Sequence, residues 1–338
     1  MKTIMQDIAK LAGVSPGTVS NALNNRKGVG QETKAKIIKI AEELGYFSTR
    51  RKSEEKVIRL IIFKKHGYVV SDTQFFTSLI GACEDQCRQN GYELLISQVI
   101  DGEHSKDDIT SIIDQRKVDG VLLLATEMDE MDFKKFNNLD IPMVVLDNYF
   151  DNKSNDYILI NNITGAFRAT KYLIENCHKR IGMMGSSIDI NNFKHRKMGF
   201  EKAINESGIL LKKEDNILLE PTLNGSYLDM KKYLEVHNKK DLPTAFFAFN
   251  DIIALGAIKA MIEHGIKIPE DVSIIGFDDI EISSVISPSM TTIKVYTTEM
   301  GVLAVRRLIN KIDEAERLVP IKIEIDTDLI ERNSVVKL

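Results

Sequence analysis

A chain of 338 residues, 43% hydrophobic and 28% charged, is too long for one compact core and has the composition of a soluble globular protein of two or three domains. Its net charge of −4 hides an asymmetry: residues 1–52 hold ten Lys/Arg and four acids, so that segment carries +6 and the remainder −10, as suits binding of a polyanion at one end only. No apolar leader follows Met1 and no run approaches the ~18 apolar residues of a membrane span. Cys83, Cys87 and Cys177 form no metal pattern and are expected to be reduced, so the expected compartment is the cytoplasm.

Residues 4–11 read as a helix opened by a Thr3-x-x-Gln6 capping box, with Ile8, Leu11 and Ala12 as its buried stripe. Gly13 permits a tight turn. Ser15 then caps a second helix, with Pro16 at its first position, where a missing N–H costs nothing. Val19, Ala22 and Leu23 form the buried face of that helix, leaving Pro16, Gly17, Thr18, Ser20, Asn21 and Asn24 exposed or flanking. A third helix from about Gln31 to Leu44 carries Ala35, Ile38, Ala41 and Glu42 in register and stops at Gly45. Composition alone allows a three-helix bundle with no nucleic-acid role. The short Gly turn, the polar second helix and the +6 charge together point to a helix-turn-helix, which lays its second helix in a DNA major groove.

From Val57 onward short apolar runs alternate with amphipathic helices. Strands are expected at 57–63, 92–96, 120–124 and 142–146, separated by helices near 75–89, 107–117 and 131–138. The pattern repeats with strands at 180–184, 217–219, 245–248 and 272–276 and helices near 165–175, 196–207, 226–235 and 252–264. Such alternation argues two doubly wound lobes with parallel sheets, whose default ligand site is the cleft beyond the carboxyl ends of the strands. His66, His104, His178, His195, His237 and His264 lie in no metal-ligand spacing, and no nucleophile or phosphate-loop motif is present. Neither an enzyme nor a metal or cofactor is expected.

The run Asp7–Ser15 with Thr18-Val19-Ser20 and Leu23-Asn24, continued by Gly28-Val29 and Glu43-Leu44-Gly45-Tyr46, resembles the head of the LacI/GalR family of bacterial transcription regulators. In the body the likeness rests on Asn161-Asn162 with Gly165-Ala166, Cys177–Ile181, Arg196–Phe200, Phe249-Asn250-Asp251, Ile274–Asp279, Thr291-Thr292-Ile293 and Ile330-Glu331-Arg332. The resemblance implies an all-α helix-turn-helix head on a periplasmic-binding-protein-like, two-lobed α/β body. It implies a head at 1–46 and a linker at 47–56. The first lobe would span 57–160 plus about 297–319, and the second 161–296 plus about 320–338. It also implies a homodimer on operator DNA, switched by an effector between the lobes. A repressor is the expected polarity.

Family base-reading positions fall on Pro16, Gly17 and Asn21, of which only Asn21 has a side chain that can pair with a base. Ser15, Thr18, Ser20 and Asn24 look like phosphate-positioning groups. The linker is shorter than the family pattern and lacks its Leu, but Arg50, Arg51 and Lys52 can neutralise phosphates or enter a narrow minor groove. Effector contacts fall on Asp147, Arg196, Asn250 and Asp278, a set able to pair with vicinal hydroxyls. Phe75, Phe76, Tyr149, Phe193 and Phe277 could stack on an apolar ligand face or simply fill the core. This chemistry favours a sugar, with a purine or a phospho-carrier protein as alternatives. The loop at 64–72, longer than usual, is expected to border the cleft. A periplasmic solute-binding protein is the rival class, set aside by the basic helix-turn-helix. With Pro16 and Gly17 beside it, Asn21 should be the main base reader, so Asn21→Ala should flatten the preference at one operator base pair by about 1–3 kcal/mol, measured by titrating operators varied at each position.

Overall fold

The computed structural model describes residues 2–23, 29–44, 56–70, 74–103, 109–112, 118–136, 139, 141–150, 155–313 and 319–338. It divides into two units, Met1–Lys56 and Val57–Leu338. Among the described residues no helix is long and apolar enough to cross a membrane.

The first unit holds α1 (Lys2–Ala12), α2 (Pro16–Leu23) and α3 (Gln31–Glu43). Gly13 has φ 71, and the Val14 N–H reaches back to the Ala9 carbonyl at 3.0 Å, closing α1 with a left-handed cap that glycine adopts without strain. Ser15 Oγ accepts the Thr18 N–H at 3.1 Å, the N-cap bond that starts α2. Ile8, Ala9, Ala12, Val19, Ala22, Ile37 and Ala41 form the small core. Two expectations change here. Leu11 is 59% exposed, its place in the stripe taken by Ala9. In α3 the buried residues are Ile37 and Ala41, while Ala35 is exposed and Ile38 only half-buried. Spacing shows that a helix has an apolar side, but which of two adjacent stripes is buried depends on where the other helices pack.

The second unit runs β1 (Lys56–Lys64), α4 (Gln74–Gln89), β2 (Tyr92–Ile100), β3 (Gly120–Leu124), α5 (Glu130–Phe133), β4 (Met143–Leu146), β5 (Asp156–Ile160), α6 (Asn162–Glu175), β6 (Ile181–Ser186), α7 (Asn191–Glu206) and β7 (Asn216–Leu219). It continues through α8 (Leu223–Val236), β8 (Ala245–Ala248), α9 (Asp251–Glu263), β9 (Ser273–Ile275), α10 (Ile282–Val285), β10 (Thr292–Lys294), α11 (Thr297–Asp313), β11 (Lys322–Ile325) and β12 (Asp328–Ile330). Of the helix expected at 107–117, only 109–112 lies among the described residues, and it is helical.

Two larger sheets result, ordered β11-β5-β4-β3-β1-β2 in the first lobe and β7-β6-β8-β9 in the second, and β10 and β12 form a third of two strands. The pairings β1–β3, β3–β4, β4–β5 and β5–β11 are parallel, as are β6–β7, β6–β8 and β8–β9. Strands β1, β3, β4 and β5 are buried along nearly their whole length, which is why they read as continuous apolar runs rather than alternating ones. Helix α11 packs on α4 and on β3, β4 and β5 of the first lobe. Lys322–Ile325 corrects the expectation that 320–338 lies wholly in the second lobe, because it pairs with Tyr157–Ile160 of β5. The buried β5 needs a partner on its outer edge, and the chain supplies one before β12 crosses to pair with β10.

Asp156 ties three of these elements together. Its fully buried carboxylate meets Arg307 Nη2 at 2.8 Å and Lys311 Nζ at 2.8 Å, both on α11, and accepts the Ile321 N–H at 2.9 Å just before β11. Burial alone would raise its pKa, but Lys311, the Ile321 N–H and Arg307 outweigh it and hold the carboxyl below its ordinary value. A depressed folded pKa contributes stability above the unfolded value of about 3.9 and loses it as pH falls through the folded one. Asp156→Asn should therefore destabilise the body by about 3–5 kcal/mol near neutral pH. In urea melts from pH 7 downward, the gap to wild type should shrink in acid.

Candidate functional site

On α2, Ser15, Pro16 and Gly17 are exposed, and Thr18, Ser20 and Asn21 are half-exposed. Ser15 and Thr18 share a hydroxyl hydrogen bond at 2.9 Å. A Cβ on Gly17 would make only ordinary contact, 3.6 Å from Ser15 Oγ. The fold therefore does not demand glycine there, and the gap it leaves lies on the outer surface. Asn24, Arg50, Arg51 and Lys52, with the rest of the linker 47–55, lie outside the described residues.

In the body, a cavity lies between the lobes. The first lobe lines it with Val69, Phe75, Phe76, Thr126 and Asp147, and the second with Ile190, Asn192, Phe193, Arg196, Pro221, Asn250, Ile252, Asp278 and Ile280. Asp147 follows β4 with φ 62 and Asp278 follows β9 with φ 114. Aspartate tolerates this region better than most residues, but each still costs of order 1–3 kcal/mol, a strain typical of ligand sites. Both carboxylates consequently turn from the strand ends into the cleft.

The guanidinium of Arg196 organises the polar wall. Its side chain is 4% exposed and its Nη2 lies 3.1 Å from Asp278 Oδ1. Nε donates to Asn162 Oδ1 at 2.8 Å and Nη1 to the Phe249 carbonyl at 2.5 Å. Phe277 lies beneath the guanidinium, 3.8 Å from ring centroid to Cζ. From Asn162 a chain of hydrogen bonds continues to Asn192 Oδ1 at 3.1 Å, and from Asn192 Nδ2 to Asp147 Oδ1 at 2.9 Å. Thr126 completes it by donating to Asp147 Oδ2 at 2.7 Å. The Asn192–Asp147 bond crosses between lobes, as does Asn191 Nδ2 to Asn148 Oδ1 at 2.9 Å. On another edge the Glu281 N–H donates to Gln74 Oε1.

Burial pushes Asp147 up to about 6, with Asp278 adding to the rise and Thr126, Asn192 and Arg196 opposing it. Burial likewise pushes Asp278 up to about 6 against the charge of Arg196. Behind them Asp251 is pushed up to about 7 by burial and by Asp278, although Thr292, Ser283 and the Ile280 N–H all donate to it. One guanidinium thus faces more than one carboxylate, so the cleft disfavours anions and suits a neutral ligand that donates hydrogen bonds.

Of the nine residues expected to contact an effector, the structure brings Phe75, Phe76, Asp147, Phe193, Arg196, Asn250 and Asp278 together around the cavity. Asn250 also caps α9, accepting the Ile253 N–H at 2.9 Å. Two are corrected. Tyr149 faces a neighbouring groove, where it stacks on His195 at 5.7 Å with Lys322 Nζ 4.2 Å from its ring centroid. Phe277 is fully buried and reaches the cleft only by supporting Arg196. Asn192 and Thr126 were not anticipated. Because α7 opens at Asn191 rather than near Arg196, Asn192 shares a helix face with Arg196, and the i, i+4 spacing was the available signal.

Residues 4–48 match the family described as "Bacterial regulatory proteins, lacI family", and residues 170–335 match the periplasmic binding protein-like domain. The HTH-type transcriptional repressor PurR of Pasteurella multocida (strain Pm70) is 35% identical over 99% of this chain and 99% of its own. PurR of Histophilus somni (strain 129Pt) is 34% identical over 100% of both chains. Among solved structures, a complex of the transcriptional regulator CelR with cellobiose has a TM-score of 0.73 at 24% identity, covering 98% of this chain and 99% of that one. The lac repressor dimer bound to operator and the anti-inducer ONPF has a TM-score of 0.71 at 21% identity, covering 98% of each. At those identities the structural likeness speaks for the fold.

The geometry around Arg196 makes its own prediction. Arg196→Ala removes the only cation within reach of Asp278 in the lining set and should cost about 3–5 kcal/mol at pH 8. At pH 5, below the value of about 6 for Asp278, the carboxyl is largely neutral and the deficit should shrink. Thermal melts of both proteins at the two pH values measure it, and an equal deficit at both would argue against the pair.

Proposed function

Because the chain belongs to the LacI family of DNA-binding transcriptional repressors, we propose that its operator affinity is set by a purine base held between the two lobes of the body. The make-up of the cavity carries this reading. Eight of its fourteen lining residues are apolar, and Phe75, Phe76 and Phe193 are among them. Five of its six polar residues connect, Thr126, Asp147 and Asn192 being joined through Asn162 to Arg196 and Asp278. A purine offers two apolar faces and a polar edge, whereas a sugar carries hydroxyls around its whole ring and needs polar walls on more sides. Arg196 is already paired with Asp278, which favours a free base over a phosphorylated nucleotide. The full-length relatives carry the name PurR, which supports a purine over the sugar suggested by the polar residues alone.

At the other end, α2 enters the major groove, with Ser15, Thr18 and Ser20 on phosphates and Asn21 on a base edge. Two copies of the chain read two half-sites, as the symmetry of operators requires of helix-turn-helix dimers. The base closes the lobes and changes DNA affinity only through its differential affinity for the two arrangements.

Titration calorimetry with adenine, guanine, hypoxanthine, ribose, glucose and cellobiose, paired with binding to an operator selected from random sequence, tests the reading. One purine base should bind and change operator affinity about 5–150-fold. Asp278→Asn should weaken that base by about tenfold, or 1.4 kcal/mol. Binding of a saccharide with no response to any purine would overturn the proposal.

A further inference from the structure

The loop that follows β1 is built around a carboxylate that the cleft itself does not use. Glu127 lies three residues beyond β3, and its side chain is fully buried. Its Oε2 accepts the backbone N–H groups of Lys65, His66 and Gly67 at 2.9, 3.1 and 2.9 Å. Its Oε1 accepts those of Val69 and Val70, both at 2.8 Å. Five consecutive or near-consecutive amides therefore converge on one side chain, forming the concave nest that backbone N–H groups offer to anions. Gly67 turns the loop with φ 71. Outside the nest, Lys65 Nζ is held by Asp129 at 2.5 Å and Asp132 at 3.0 Å.

The consequence reaches the cavity at two points. Val69, held by Glu127, forms part of the apolar wall, while Thr126, its chain neighbour, lines the same cavity and bonds Asp147. Although burial opposes ionisation, the donated N–H groups hold Glu127 below the usual carboxylate range, so it is an acceptor at both oxygens. We infer that Glu127 is the positioning residue of a specificity loop: it holds residues 65–70 against the first lobe so that Val69 closes the wall of the effector cleft and limits what can enter. This rests on the reading of that cleft as the effector site. It does not depend on the effector being a purine.

Glu127→Gln keeps the size of the side chain but turns an NH₂ toward two or three N–H donors. Hydrogen exchange on the full-length protein reads the positioning role without any ligand. The amides of 65–70 should exchange about 100-fold faster in the variant, while those of β1 and β3 keep their protection. Unchanged protection in the loop would overturn the inference. Calorimetry with guanine, adenine, hypoxanthine and their nucleosides reads the specificity role. Glu127→Gln should weaken the best base by about tenfold and narrow its preference over the nucleoside. Val69→Ala should produce the same narrowing and add little in the Glu127→Gln background, since both act on one wall. A variant that merely melts earlier but binds with wild-type affinity and selectivity would refute a specificity role. Should Glu127→Gln fail to fold, Gly67→Ala is the second variant: its Cβ meets nothing within 4 Å, but its φ is strained for alanine, and it should weaken the base about two- to fivefold. If no purine binds the wild type, the purine reading fails while the exchange experiment still decides whether Glu127 positions the loop.

Discussion

The cleft depends on one buried cation. Arg196 sits almost out of water, and a guanidinium in that position survives only if its donors and its charge are both answered. The answers come from different parts of the chain: Asp278 after β9, the carbonyl of Phe249 after β8, Asn162 at the start of α6, and the ring of Phe277 beneath. Satisfying Arg196 therefore fixes the relative positions of two strand ends and two helices. Gly199, one turn further along α7, makes this possible, because a Cβ there would collide with the Ile163 carbonyl oxygen of α6.

From that fixed point the hydrogen-bond chain runs through Asn162 and Asn192 to Asp147 and Thr126, and so from one lobe to the other. Such a chain is satisfied in one arrangement of the lobes and broken in another. A ligand acts at a distance only through differential affinity for two arrangements of a protein. The carboxylates at its ends are raised toward neutral pH by burial, so they are groups whose ionisation a ligand's own donors can complete.

Much of this was legible beforehand where function and local structure coincide. Asp147, Asn250 and Asp278 stand where apolar runs end, and in a parallel sheet the ends of strands are where ligands bind. The turn around Gly13, the cap at Ser15 and Pro16 at the first helical position are local events with local causes. Asn192 was not legible as part of the wall because its place depends on α7 starting at Asn191, at an uncapped Ile190. Tyr149 and Phe277 carry the same chemistry as Phe75 and Phe76, and nothing in their sequence neighbourhood says that one faces a side groove and the other lies under a guanidinium.

The sequence by itself determined the division into a basic helical head and an α/β body, the alternation that makes the sheets parallel, and the residue types able to meet DNA and a small ligand. These follow from periodicity, charge and turn chemistry, which act over a few residues. Tertiary structure alone decided which apolar stripe of α1 and α3 is buried, that Lys322–Ile325 completes the first sheet, and which side chains converge on the cleft. It also decided that Glu127 gathers five distant amides around one carboxylate. Those outcomes depend on pairings about sixty to over a hundred residues apart, where burial and the need to satisfy every polar group act on the whole fold rather than on any segment of it.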